Sequence, residues 1–479
     1  MKYPKKLTKF LLPGVILLIF ASCYLILSLI KHNHFMSGYD LAIIDQAIWK
    51  YANFKNPITT SHVFFDTTIY SDHLEIVFLL IAPFYRIFDT VNFLIVLQVA
   101  AIISSGVAVY MIAQFHKLNK FISLCILTSY LSFFGIQFSI WSDVHSLLFA
   151  LTFMSWLIYF LTIEKNRPAL LFLVLSVISK EDVAFLTLLI ALVFYLSKRT
   201  KASLISVILS GIYLAFIFFV YFPNIGPDGY RFFQNENPLS ELNPLYLVNT
   251  LDKQKTFLYS FGWFGFVPLL SLLYTFPFFG DIAHYFVAGN GLTRTEGIFL
   301  HYRSTTALFM VWPTIIAIKK LKFLNKWYFG LYLLISAGFF QYYLHLPLSY
   351  LSKSWFWKEE VEVSNIKSVL RQIPKDSSIV TQNNIAPHLS HRDYIYTLFP
   401  SQKDFSNNSP CQSLSCNWFR VGGKPKLLLI DKGSSWNIIQ LLGSREDFYK
   451  GVENLEKNGN IKLIKKNGTT HLYKIVKNI

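Results

Sequence analysis

Charge is scarce in this chain, and acid is scarcer than base. Only 15% of the 479 residues are charged, against about 25% in an average soluble domain, and 27 Asp and Glu face 44 Lys and Arg. Cysteine is nearly missing as well, and four in the whole chain exclude a disulfide scaffold and a metal-ribbon array. There is no Walker loop, no Gly-x-Gly-x-x-Gly turn after a strand, no Gly-x-Ser-x-Gly elbow and no His-Glu-x-x-His pair. An ATP-driven pump or a soluble nucleotide-sugar enzyme therefore has no support. The net charge of +17 does not point to nucleic acid, because Lys and Arg fall in short clusters between apolar runs, without a basic face interleaved with stacking aromatics.

What abounds is apolar surface: 53% of residues are hydrophobic, 17% are aromatic, and the mean hydropathy is +0.41. Apolar runs recur along the first three quarters, each near the length that crosses about 30 Å of hydrocarbon. They predict a mainly α, polytopic transmembrane protein over residues 1–350 with about eleven segments. The segments fall near 10–30, 91–113, 121–140, 146–163, 168–179, 183–197 and 202–222, a hairpin of two short helices in the Pro- and Gly-interrupted stretch 256–286, then 304–318 and 327–347. The first run is too long for a signal peptide and lacks a convincing cleavage site, which predicts an uncleaved anchor. The short stretch 74–88 ends at Arg86 and Asp89, and is expected to lie in the interface without crossing.

Orientation follows from Lys and Arg, which concentrate in cytoplasmic loops. Clusters at Lys2 to Lys9, Lys117 and Lys120, Lys165 and Arg167, Lys198 to Lys201, and Lys319 to Lys326 are mutually consistent if all lie inside. The reading is a multi-pass protein of the plasma membrane with a cytoplasmic N-terminus. It places the first loop, 31–73, and the C-terminal part, 351–479, outside. That last part is mixed in composition. Helices at Glu359–Gln372 and Asp447–Asn458, strands at Ser378–Thr381 and Lys426–Asp431, and a hairpin of Ile461–Lys465 with His471–Val476 predict a small extracytoplasmic α/β domain. Cys411 and Cys416 in its polar stretch are compatible with a local disulfide or a reduced pair.

With this topology acids and histidines gather at the outer ends of helices, where unpaired charge beside lipid is costly and seldom kept without a role. Apolar positions 41, 44, 48 and 51 make the first loop's 39–51 an amphipathic helix, with Asp40 at its start. The local reading of Asp40 is an N-cap; the sharper one is a general base on an acceptor hydroxyl, and the readings are compatible. Asp72-His73 and Asp143-Val144-His145 read either as structural hydrogen-bond pairs or as groups that bind substrate or a divalent cation. Lys180-Glu181-Asp182 is a solvated turn or, through Lys180, a counter-charge to a lipid-linked phosphate. His301-Tyr302-Arg303 opens a segment; Arg303 either grips phosphate bidentately or anchors the helix at the headgroups. His388, His391 and Arg392 read as a capped loop on the C-terminal domain more readily than as ligand contacts.

At these residues a family likeness emerges. The succession Tyr39 to Trp49, Asp72-His73, Ala82-Pro83-Phe84-Tyr85, Asp143-Val144-His145, Lys180-Glu181-Asp182 and His301-Tyr302, followed by Pro374 to Pro400 with Asn383-Asn384-Ile385-Ala386-Pro387-His388-Leu389-Ser390-His391-Arg392, resembles the prokaryotic membrane proteins called domain of unknown function 2079. That family is grouped with the GT-C glycosyltransferases, multi-spanning enzymes that take a sugar from a polyprenyl-phosphate carrier. The resemblance implies a GT-C-like membrane domain and a donor of that kind. It also implies an envelope glycan, lipid or protein as acceptor, and a catalytic base at Asp40, with Asp45 as second choice. One departure is Val144-His145-Ser146, where relatives usually carry an aromatic before the His and Pro-Glu after it. The competing reading is a transporter or flippase of a lipid-linked or small envelope substrate, for which the broken stretch 256–286 is the supporting feature and a missing internal repeat the opposing one.

Overall fold

In the computed structural model residues 4–61, 68–225, 243–287, 295–400, 419–421, 423–433 and 445–477 are described; Cys411 and Cys416 lie outside them. The helices are α1 Pro4–Asn33, α2 Tyr39–Ala52, α3 Val77–Tyr85, α4 Val91–Phe115, α5 Lys120–Leu131, α6 Phe134–Trp141, α7 Ser146–Thr162, α8 Asn166–Val177, α9 Val183–Lys198 and α10 Lys201–Phe216. They continue as α11 Leu251–Trp263, α12 Leu272–Phe286, α13 Ser304–Lys320, α14 Trp327–Tyr343, α15 Val361–Leu370 and α16 Arg445–Lys457. The chain divides into two compact units. The first holds residues 1–28, 71–77 and 95–353; the second holds 29–70, 78–94 and 354–479.

The helical class matches the expectation, but the count of about eleven spans does not. Among the described residues three helices are long and apolar enough to cross a bilayer: Leu11–Asn33, Val91–Phe115 and Lys201–Ile225, the last being α10 continued through a π-turn. The number reaches five if the bent pairs α5 with α6 and α11 with the stretch up to Phe286 each count as one. The others are too short: 17 residues in α7, α13 and α14 make about 26 Å of helix, and α3 has nine. Two different causes make a run apolar. Helices α1 and α10 keep most of their surface open, with Leu18, Ile212 and Phe219 well exposed, as lipid-facing helices do. Helix α13 is buried at every residue from Ser304 to Ile318, so it is apolar all round because protein surrounds it.

The expected segment 121–140 is broken at Ser132-Phe133, and α5 and α6 meet at 40°. A break inside an apolar protein frees carbonyls that need donors. Tyr24 Oη donates to the Leu131 carbonyl and Trp263 Nε1 to that of Ser129 at 2.8 Å. The expected hairpin of 256–286 is two helices bent by 80°. Its turn holds Gly265 at φ +59° and Phe266 at φ 60°. Tyr332 Oη donates to the Gly265 carbonyl at 3.1 Å, and any side chain at Gly265 would collide with the Tyr332 ring.

The second unit is built on a five-stranded sheet in the order β2-β1-β5-β7-β6, from β1 Ile379–Thr381, β2 Ile395–Thr397, β5 Leu427–Asp431, β6 Ile461–Asn467 and β7 Thr470–Ile475. Strand β1 runs parallel to β2 and β5, while β7 is antiparallel to β5 and β6; a short antiparallel pair joins β3 Phe399–Pro400 and β4 Phe419–Arg420. The sequence locates β1, β5 and the β6-β7 hairpin to within two residues but passes over β2. Val380, Leu428 and Ile430 pack with Phe448 and Val452 of α16. Ile379, Leu429 and Ile395 pack with Val363, Ile366 and Val369 of α15, and Phe35 and Ala42 of the first loop join that same core. Strand β2 is held by the loop as well: Thr60 Oγ1 accepts the Ile395 amide at 3.0 Å and donates to the Ile395 carbonyl at 2.8 Å. The first loop and the C-terminal sheet are thus one folded body.

Candidate functional site

Two clusters of ionisable side chains stand out, one in each unit. In the first unit the hub is the turn ahead of α9. Glu181 is fully buried and both its oxygens are taken: Oε1 lies 2.6 Å from His73 Nδ1, and Oε2 accepts the Leu74 amide at 2.9 Å. Burial works against a charged His73. The Glu181 carboxylate, helped by Asp72, outweighs it and lifts the imidazole to about 9, so His73 is a cation at neutral pH. Two residues on, burial pushes the carboxyl of Glu75 upward, and Ser146 Oγ donates to its Oε1 at 2.5 Å.

The same turn reaches α12. Lys180 Nζ is 3.1 Å and His284 Nε2 3.7 Å from Asp182 Oδ2. Beside His284, the Tyr285 ring faces the Tyr302 ring at 5.1 Å, and the Arg303 guanidinium carbon lies 4.9 Å from the Tyr285 ring centroid. His301 stacks on His145 with centroids 3.5 Å apart, which carries the cluster to the start of α7. Asp143 is buried two residues before. Asp281 accepts from Thr305 Oγ1 at 2.7 Å and Thr306 Oγ1 at 2.6 Å, fixing α12 to α13.

Arg303 is left partly unsatisfied by the protein. It is completely buried. Its Nε donates to the Gly297 carbonyl at 3.3 Å and Nη2 to that of Thr295, while Nη1 has no partner among the described residues. Asp182 Oδ1 and the Tyr285 hydroxyl are likewise buried and unpartnered. Gly135 makes this close packing feasible, since a Cβ there would sit 1.9 Å from the Arg303 carbonyl oxygen.

The second unit holds the other cluster. Asp40 occupies the first turn of α2, half-buried, and the cap position ahead of the helix belongs to Gly38. The N-cap expectation for Asp40 is therefore corrected: its carboxylate favours the helix through its position at the positive end of the dipole. Asp45 is fully buried. Tyr85 Oη donates to its Oδ1 at 2.7 Å, Ser390 Oγ donates to its Oδ2, and His391 Nε2 lies 3.0 Å from that same oxygen. His391 Nδ1 lies 2.7 Å from Asp89 Oδ1, so one imidazole bridges two carboxylates.

Asp72, His73, Asp143 and His145 are the candidate cation ligands. His73 is committed to Glu181 and His145 to the His301 ring. Among the described residues no group of three or more His, Cys, Asp or Glu is arranged to hold a metal ion. Glu75, Asp281, His284 and Tyr285 are absent from the sequence reading. The signal for the last three was an aspartate and a histidine inside an apolar run, the pattern that marks functional membrane helices.

Residues 31–421 match the model of a family of predicted membrane proteins, domain of unknown function 2079. The chain belongs to this family. The matched region contains every residue of both clusters, from Asp40 to His391. No curated protein matches. Membership in the 2079 family establishes a membrane protein with helical spans and leaves its chemistry to be argued from the site.

Proposed function

We propose that the protein is a plasma-membrane glycosyltransferase that moves a sugar from a polyprenyl-phosphate donor to an envelope glycan, lipid or protein acceptor. The observation that carries this reading is the gathering of five separated motifs, around 72–75, 143–146, 180–182, 281–285 and 301–303, about a buried arginine with an unpaired Nη1. Leaving such a group unmatched costs about 1–3 kcal/mol or more, a cost that a bound oxyanion removes. Arg303 and Lys180 supply positive charge, Tyr285 and His301 hydrogen-bond donors, and Asp182 Oδ1 an acceptor for a sugar hydroxyl. A donor with its tail in lipid needs no nucleotide pocket, in keeping with the missing phosphate loops.

In the reaction the acceptor oxygen bonds to the anomeric carbon while the bond from that carbon to the phosphate oxygen breaks. The electron pair leaves on the phosphate, where Arg303 and Lys180 offset it. The acceptor proton passes to a general base, and the residue that the family resemblance implies for that role is Asp40 of α2. Asp45, whose oxygens are already engaged, holds the helix. The first loop and C-terminal sheet are assigned to the outer face and the N-terminus to the cytoplasm.

Purified protein given labelled polyprenyl-phosphate sugars and an envelope acceptor extract should transfer label, and Asp40→Asn should lower kcat by about 100-fold or more. Full activity in Asp40→Asn removes that residue as the base. The 80° bend before α12, with Asp281 and His284 behind it, favours transport as the second reading. Substrate uptake by proteoliposomes, with no transfer from any donor, would establish transport instead.

A further inference from the structure

We propose that His391 is a positioning residue: by bridging Asp45 and Asp89 it fixes helix α2, and with it the carboxylate of Asp40. The assignment rests on the sugar-transfer reading for its consequence but on the geometry of the second unit for its substance. The two carboxylates belong to different stretches of chain, α2 and the segment 78–94. Both contacts are ion-pair distances, and Nε2 makes no hydrogen bond of good geometry, so what holds the ring between two carboxylates is charge, and the bridge requires the cation. Neutral His391 would turn a lone pair toward one carboxylate and undo that side.

Among the described residues the surroundings contain nothing to replace it. From α2 the facing charge is Asp45; from 78–94 come Tyr85, which donates to Asp45, and Asp89, while Arg86 is turned away over the Phe54 ring at 5.1 Å. On its own loop Arg392 is occupied by the Leu389 and Ser377 carbonyls, and Asp393 is paired with Lys55 at 2.8 Å. Trp49 stacks on the imidazole at 5.9 Å. Burial alone would disfavour its charge, yet Asp45 and then Asp89 hold the His391 pKa above the ordinary imidazole value. Next along α2, Gln46 reinforces the grip: it accepts the Ser61 amide at 3.1 Å and donates to the Arg392 carbonyl at 3.1 Å. Asp40 lies five residues before Asp45 on this helix, so a rotation or loosening at Asp45 re-aims it.

The test follows amide hydrogen exchange across residues 39–52 in the full chain in nanodiscs, for wild type, His391→Gln and Asp89→Asn, with donor-dependent transfer measured alongside. After correction for intrinsic exchange, the wild-type helix should open about tenfold more as pH rises from neutral through the raised pKa of His391. His391→Gln should be open throughout with no pH step, and Asp89→Asn should show a smaller step. Transfer should lose kcat over the same pH range with the donor KM unchanged. A helix equally protected in wild type and His391→Gln overturns the assignment. If His391→Gln does not fold, Asp89→Asn decides, because Asp89 is 64% exposed and a variant with the full wild-type step overturns it equally. Wild-type protein that transfers no sugar sinks the sugar-transfer reading while the exchange data still judge His391.

Discussion

Glu181 and Arg303 show how single residues carry the first unit. Removing one member of a buried ion pair costs about 3–5 kcal/mol, because the partner stays behind uncompensated, so Glu181→Gln should lower the unfolding temperature well below that of surface variants. The His73 pair also sets a pH dependence. Its folded pKa is raised to about 9 from the ordinary imidazole value of 6.5, so its contribution is complete below that lower value and fades as pH rises through about 9. Thermal unfolding in detergent across that interval should fall for wild type and flatten in His73→Gln. Arg303→Lys keeps the charge but not the fork. On the sugar-transfer reading it should lower transfer by about 100-fold, and equal transfer would free the phosphate from this residue. Each of the motifs that hold His73, Glu181 and Arg303 was visible in the sequence as a short polar island. Its partner was not, because the hydrogen bond from His73 reaches 108 residues along the chain.

Among the elements, breaks matter more than lengths. The start of α6 touches the turn 301–303 so closely that Gly135→Ala places a methyl group inside the Arg303 carbonyl. Such overpacking costs about 1–3 kcal/mol, and unfolding should register it, whereas Gly14→Ala, which meets nothing within 4 Å, should be silent. Most helices were legible as apolar runs, with ends within a few residues. The break at Ser132-Phe133 was not, because no Pro or Gly marks it and the donors from Tyr24 and Trp263 that stabilise it come from remote helices. Strand β2 escaped for a similar reason: it has three residues, and its backbone is completed by Thr60 of the first loop.

For the whole molecule the first loop is part of the C-terminal fold, although nearly 300 residues separate them. Deleting 354–479 should therefore unfold the loop as well, seen as loss of exchange protection in residues 39–52. Retained protection there would mean the loop stands alone. Orientation has its own test in a background with native cysteines replaced: on the proposed topology Asp376→Cys should react with an impermeant thiol reagent in intact cells, and Lys165→Cys only after permeabilisation. Both sites are exposed, so the opposite pattern inverts the topology.

Residence in a membrane and the helical class were decided by the sequence alone, because both depend on local composition summed along the chain. The number of long spans was not, since a run buried among other helices is as apolar as one facing lipid, and only the fold distinguishes them. Which acid meets which imidazole was equally a tertiary matter: Asp45 is completed by Ser390, 345 residues away, and Glu181 by a histidine from another turn. Sequence supplied the groups that could pair, and packing selected the pairs by deciding which charges lost their water together.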